Sequence, residues 1–356
     1  MKRTGIANLP LHYGRTPRWL FRKMENLSRE IICAIILDKG TKEVLRRLSD
    51  PFWFQAFGSV LGFDWHSSGL TTTVCGAIKS GFKEASKEFG FYIGGGKGKT
   101  SRKTPKEIEV VSDNLGLNAK PLIYASRMSA KVDTSGIQDG YQIYHHTFFF
   151  TSQGDWAIIQ QGMNKKNRYA RRYHWLSSKV DDFVCEPHSG IECRVTGETL
   201  NLVASESDKS RDVITSISKE RPEKVIRELK QIKELKLPPE HPVTITSIHP
   251  DRIRKILIST YERSPEDFET LIAMRGVGPK TIRALSLISE LMYGVKPSFS
   301  DPARFSFAHG GKDGYPYPVD RAVYDESISF LEEAVNKAKI SNTDRLKLLK
   351  KLHGIF

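Results

Sequence analysis

The residues whose types and spacing best suit chemistry lie at Leu271-Ile-Ala-Met-Arg-Gly-Val-Gly-Pro-Lys-Thr-Ile-Arg-Ala-Leu285. Leu271, Ile272 and Met274 give a first helix its apolar side, and Ile282 and Leu285 restore that spacing in a second. Gly276 and Gly278 bracket a turn that needs positive φ or close backbone approach, and Pro279 suits the first turn of the following helix. Such a turn offers backbone N–H groups and a helix N-terminus to an anion, and a phosphate fits there. Gly276, Val277, Gly278, Lys280 and Thr281 are the expected contacts, with Lys280 as the cation.

Three other clusters could act. Carboxylates and amides on neighbouring strands can hold Mg²⁺ or Mn²⁺ for phosphodiester cleavage, and Asp133, Asp139, His146 and Asp155 are the candidate ligands. Asp139-Gly140 and Gly154-Asp155 also read as ordinary turn pairs, and in an alternating strand only one of His145 and His146 can enter a given site. Arg168-Tyr-Ala-Arg-Arg-Tyr-His-Trp175 interleaves Arg168, Arg171 and Arg172 with aromatics. That pattern suits phosphate contacts with base stacking, or arginine stems laid over a partly buried aromatic surface. Ile93-Gly-Gly-Gly-Lys-Gly-Lys-Thr-Ser-Arg-Lys-Thr104 reads as a flexible basic loop in which Lys97, Lys99, Arg102 and Lys103 clamp a nucleic-acid backbone, or as a solvated linker. Its glycines miss the spacing of a phosphate-binding P-loop, which excludes nucleotide hydrolysis there. Asp64, His66, Ser67 and Ser68, within Gly62–Thr73, read as structural hydrogen-bonding groups between buried helices.

Composition bounds the partner. The chain has 356 residues, is 39% hydrophobic and carries a formal net charge of +14, so a core is expected and a polyanion, DNA first, is the favoured partner. Cys33, Cys75, Cys185 and Cys193 form no C-x-x-C pair, which argues against a zinc ribbon or a disulfide framework. Ile31–Leu37 is too short an apolar run to span a bilayer, and no signal peptide is evident. The expectation is a cytoplasmic protein without a membrane partner.

The elements that must position these residues follow from periodicity. Helices are expected over Arg18–Leu37, Thr41–Leu48, Phe52–Leu61 and Thr71–Glu88. Gln142–Phe150 and Trp156–Gln160 read as a β-hairpin, with a third strand or short helix over Arg168–Trp175. Charged helices return over 205–234, and Pro238, Pro239 and Pro242 form a linker before the C-terminal helices. The predicted fold class is α+β: mainly helical, with a small antiparallel β region in the middle and a C-terminal helix-hairpin-helix domain. The predicted division is 1–119, 120–204 and 205–356.

The Gly276–Thr281 stretch resembles the helix-hairpin-helix motif of DNA-processing proteins. With Val319-Asp320 ahead of a later apolar helix, it looks like the helix-hairpin-helix glycosylases that also act as lyases. That resemblance implies Lys280 as nucleophile and Asp320 as catalytic partner, with no cofactor. A desolvated lysine beside a helix N-terminus can attack a sugar carbon, and a carboxylate can stabilise the developing charge. The separation of forty residues (320 − 280) is longer than in those enzymes, and their four-cysteine cluster is absent. The alternatives are a metal-dependent DNA nuclease centred on the β region, needing Mg or Mn, and a non-catalytic nucleic-acid-binding protein. Over nearly its whole length the chain also resembles the prokaryotic family of domain of unknown function 763. The carrying residues are Arg3–His12, Leu48–Gln55, Gly62–Gly69, Gln138–Gln142 and Ala308–Gly314. That resemblance implies nothing about activity.

Overall fold

The computed structural model describes residues 9–10, 16–64, 66–234 and 249–303, with the single positions 329, 333 and 336. The N-terminal helices are α1 (Arg18–Lys39), α2 (Thr41–Leu48), α3 (Pro51–Val60), α4 (Gly69–Gly81) and the short α5 (Ser86–Phe89). They fall close to the periodicity. Asp50 lies between α2 and α3 and its Oδ1 caps α3, accepting from the Phe52 and Trp53 N–H groups at 2.8 and 3.0 Å. The helix expected over Thr71–Glu88 is two, because the chain leaves α4 at Phe82 before α5.

The larger difference follows. Phe91–Lys97 is not a flexible loop but a strand, β1, running into a 3₁₀ turn at Gly98–Lys103. Next come α6 (Thr104–Leu115), α7 (Ala119–Lys131), a π-helical turn at Val132–Gly136 and β2 (Ile137–Gln138). Then β3 (Gln142–Thr151), β4 (Trp156–Asn164) and β5 (Tyr169–Leu176) form a meander, followed by β6 (Gly190–Glu192) and β7 (Leu200–Asn201). The C-terminal helices are α8 (Asp208–Ser218), α9 (Pro222–Glu234), α10 (Pro250–Arg263), α11 (Phe268–Ala273) and α12 (Pro279–Tyr293).

The main sheet is antiparallel with order β1-β3-β4-β5-β6, and β2 pairs with β7 apart from it. Alternation along each strand sends side chains to two different cores. Phe91, Phe149, Ala157, Ile159 and Leu176 join the core built on α1–α4. Tyr92, Phe148, Phe150, Ile158, Tyr173 and Trp175 join the core built on α6–α12. The sheet is therefore the middle layer between two helical layers, and its inner strands are buried on both faces. The expected division at 119/120 passes between β1 and β3, which pair from Phe91↔Thr151 to Lys97↔His145. The α+β class with its mainly helical content stands. No described helix is long and apolar enough to cross a membrane.

Candidate functional site

Two helices and a glycine turn form at 268–293, as the spacing requires. Asp267 caps α11 through a 2.7 Å bond from the Thr270 N–H. Gly276 sits at φ +93°, where a side chain would be strained, and Pro279 opens α12. The turn is fixed from below: Lys131 Nζ donates to the Met274 and Val277 carbonyls, and Gln138 Nε2 donates to the Pro279 carbonyl at 2.9 Å. Arg283 Nε completes the link through Gln138 Oε1 at 2.8 Å. Arg275, Gly276, Pro279 and Lys280 are left exposed. Val277 and Thr281 are 1% exposed, so both belong to the core, and the Val277 N–H is already given to the Met274 carbonyl. Asp320 lies outside the described residues.

The arginines of β5 behave differently from expectation. Arg168 is exposed at the β4–β5 turn. Arg171 and Arg172 are buried, at 1% and 0%, and neither can reach a nucleic acid. Arg171 pairs with Asp139 at 2.9 Å and Asp301 at 2.7 Å, over the ring of Tyr141. Burial opposes its charge, but Asp139, Tyr173, Cys193 and Asp301 around it together more than offset this and hold its pKa well above the usual value. Arg172 pairs with Glu192 and bonds Gln55 Oε1 and Thr71 Oγ1 at 3.1 and 3.2 Å, over the ring of Phe54. A guanidinium is weakly hydrated and presents five donors, so it can be buried where a lysine would be left short of partners.

The four proposed metal ligands do not converge. Asp139 is spent on Arg171 and on the Tyr173 hydroxyl at 2.6 Å, and Asp155 faces Lys42 at 3.2 Å. Among the described residues no group of three or more His, Cys, Asp and Glu side chains is arranged to hold a metal ion. Asp133 and His146 instead belong to a buried polar chain. Gln160 joins them: its Oε1 accepts from His146 Nδ1 at 3.0 Å, and its Nε2 donates to Asp133 Oδ2 at 2.5 Å. Since the amide oxygen can only accept, His146 carries its proton on Nδ1, and Nε2 accepts from the Ser126 hydroxyl at 2.9 Å. Burial pushes the His146 pKa down to about 4 and keeps the ring neutral. Asp133 also accepts from Trp175 Nε1 at 3.0 Å and meets His188 Nε2 at 2.5 Å. It is wholly buried in the π-helical turn, and burial raises its pKa. His145 faces the other side of the sheet, bonded to Thr147 Oγ1 at 2.9 Å, as the alternation requires.

Sequence reasoning missed two features here. His188 is 55 residues from Asp133, and its ring packs 4.4 Å from that of Trp175 while lining a cleft of about 260 Å³ with Asn201 and Asp301. The imidazole is thus held by a buried carboxylate at one nitrogen and set beside a cleft, the arrangement used to orient a general base or a metal-binding histidine. The second feature is a cavity of about 890 Å³, where the Gly62–Thr73 stretch and the start of the basic segment, Gly95–Thr100, come together. Lys97 lines it, while Lys99, Arg102 and Lys103 are exposed on the adjoining turn.

Comparison with known families settles the membership. The family described as "protein of unknown function (DUF763)" matches residues 5–319. The chain belongs to that family. No match was found among curated proteins or among solved structures.

Proposed function

We propose that this member of the family binds DNA through the α11–α12 turn and acts on it in repair. The observation that carries the reading is the exposed rim of that turn. Gly276 in the left-handed region and the N-terminus of α12 with Lys280 stand on a base that Lys131 and Gln138 hold rigid. Rigid backbone N–H groups next to a cation fit a phosphodiester without reading sequence. The exposed Lys99, Arg102, Lys103 and Arg168 add cations for the same backbone, consistent with the net charge of +14.

The reaction proposed first is base excision with strand scission, as in the lyases whose hairpin this one resembles. Lys280 Nζ would attack C1′ of the damaged nucleotide. The glycosidic bond would break with the base leaving on its electron pair; the bound amine would lose a proton and the C1′–O4′ bond would open, O4′ taking a proton, to give the protonated imine; loss of a C2′ proton would then expel the 3′ phosphate. Asp320 would stabilise the positive charge that develops on the sugar. Borohydride reduction in the presence of abasic-site DNA should trap a covalent complex that Lys280→Ala abolishes. Cleavage that survives Lys280→Ala and disappears with EDTA would replace the lyase by a metal-dependent nuclease. Its ligands would then not be Asp133, Asp139, His146 and Asp155 together. Salt-sensitive binding with no product under either condition would leave a non-catalytic DNA-binding protein.

A further inference from the structure

The 890 Å³ cavity is bounded by segments that the hairpin does not touch. One wall is a whole face of α4: Gly69, Thr72, Thr73, Gly76 and Lys79 line it at helical spacing. Small and hydroxylated residues leave room and donors there, and Lys79 closes the far end. Facing groups come from the end of β1 and the 3₁₀ turn, with Gly96, Lys97 and Thr100. The third side is aromatic, with Phe21 of α1, Phe63 and Tyr144 of β3. The size matches pockets that enclose small ligands.

The polar groups define the ligand's chemistry. Lys79 Nζ donates to Gly95 O at 2.8 Å and Glu107 Oε2 at 2.7 Å, and an ammonium carries a third hydrogen for the cavity. The Lys97 ammonium lies 5.9 Å from the centroid of the Tyr144 ring and makes no ion pair among the described residues. Ser67 Oγ accepts from the Gly69 N–H at 3.2 Å at the start of α4, whose N-terminal end adds partial positive charge. Asp64, exposed on the 62–69 loop, is the acidic side chain of the lining among the described residues. Glu107 is already neutralised by Lys79. The described lining thus offers cations and hydroxyls along one side, flat aromatic surface on another and a carboxylate acceptor. A phosphate suits the first, a base the second, and a carboxylate accepts from sugar hydroxyls or an exocyclic amine.

We propose that this cavity binds a nucleoside phosphate, its phosphate against Lys97, Lys79 and Thr100 and its base against Phe21 and Phe63. The ligand is a free nucleotide or the phosphorylated end of a DNA strand, which share this chemistry. The site stands independently of the α11–α12 turn.

Calorimetric titration of the full chain with AMP, ATP, adenosine and a short oligodeoxynucleotide, with and without a 5′ phosphate, tests it. One phosphate-bearing ligand should bind per chain with a Kd below ~1 mM, and adenosine roughly tenfold or more weaker. Lys97→Ala should weaken binding by about tenfold, while Lys106→Ala, the same charge loss on the exposed face of α6, should not. Thr100→Val should weaken it by a smaller factor, with a thermal melt to confirm folding. Preference for AMP or ATP assigns a free nucleotide, and preference for the 5′-phosphorylated strand assigns a DNA end. The proposal fails if no phosphate-bearing ligand binds, if adenosine binds as well as AMP, or if Lys97→Ala binds like the wild type.

Discussion

Two basic regions of this molecule have opposite fates. Arg171 and Arg172 on β5 are buried between the helical layers, each ion-paired and stacked on an aromatic ring. Lys97, Lys99, Arg102 and Lys103, with Arg275 and Lys280 of the hairpin, are exposed. The sequence treats them alike, as basic residues among aromatics or glycines, and their net charge counts equally. The structure separates them by what lies opposite. Strand β5 is an inner strand of a sheet covered on both faces, so its side chains have nowhere to go but inward. The turn after β1 and the turn before α12 are at the surface. Only the second group can contribute to steering and binding of a polyanion; the first group fixes the sheet to its neighbours.

This separation can be broken by substitution. The largest expected effect is Arg172→Ala, which leaves Glu192 buried without its cation. Losing one partner of a buried pair costs about 3–5 kcal/mol, read as a drop in the denaturant midpoint with DNA affinity per folded molecule unchanged. If Arg172→Ala instead folds normally and loses DNA binding, the assignment of this arginine to the interior is wrong. Asp133→Asn should cost roughly 1–3 kcal/mol, because one of the donors aimed at the carboxylate meets an amide N–H instead of an acceptor. Replacing Lys99, Arg102 and Lys103 together by Ala should leave the melting temperature within a degree or two. Binding should weaken, and the salt dependence of binding should flatten by about one unit for each DNA phosphate that is no longer neutralised. Unchanged salt dependence would remove this turn from the interface.

The last expected effect is on pH. Burial holds His145 down to about 3 and His146 to about 4, while in the unfolded chain both titrate near the usual 6.5. Between those values the unfolded state binds more protons, so stability should fall as the solution is acidified from pH 6.5 toward 4. A His146→Gln variant should show a shallower fall of melting temperature over that window, and an equal slope would remove His146 as a source of the acid sensitivity.

The helices from α1 to α3 and the β3–β4 hairpin were legible because local periodicity and turn residues specify them. Phe148 and Phe149 even announce the two cores by standing next to each other on a strand. Strand β1 was hidden because Gly94, Gly95 and Gly96 are poor strand formers by propensity. Gly95 is a glycine for a different reason: a Cβ there would lie 2.2 Å from the His146 carbonyl oxygen on β3. The Asp133–His188 contact and the 890 Å³ cavity depend on residues far apart in sequence, which no spacing rule connects. The basic stretch at Arg171-Arg172 misled because charge patterning says nothing about which side of a sheet is covered.

The Lys79–Glu107 pair also guards an edge. Strand β1 is at one end of the sheet order, with β3 on only one side, so part of its backbone could recruit another strand. At Gly95 that opportunity is closed from both directions. The carboxylate of Glu107 takes the Gly95 N–H at 2.6 Å, and Lys79 takes the Gly95 carbonyl at 2.8 Å. The two charged side chains act as a substitute for a neighbouring strand and leave Gly95 with no free backbone group for an incoming strand to pair with.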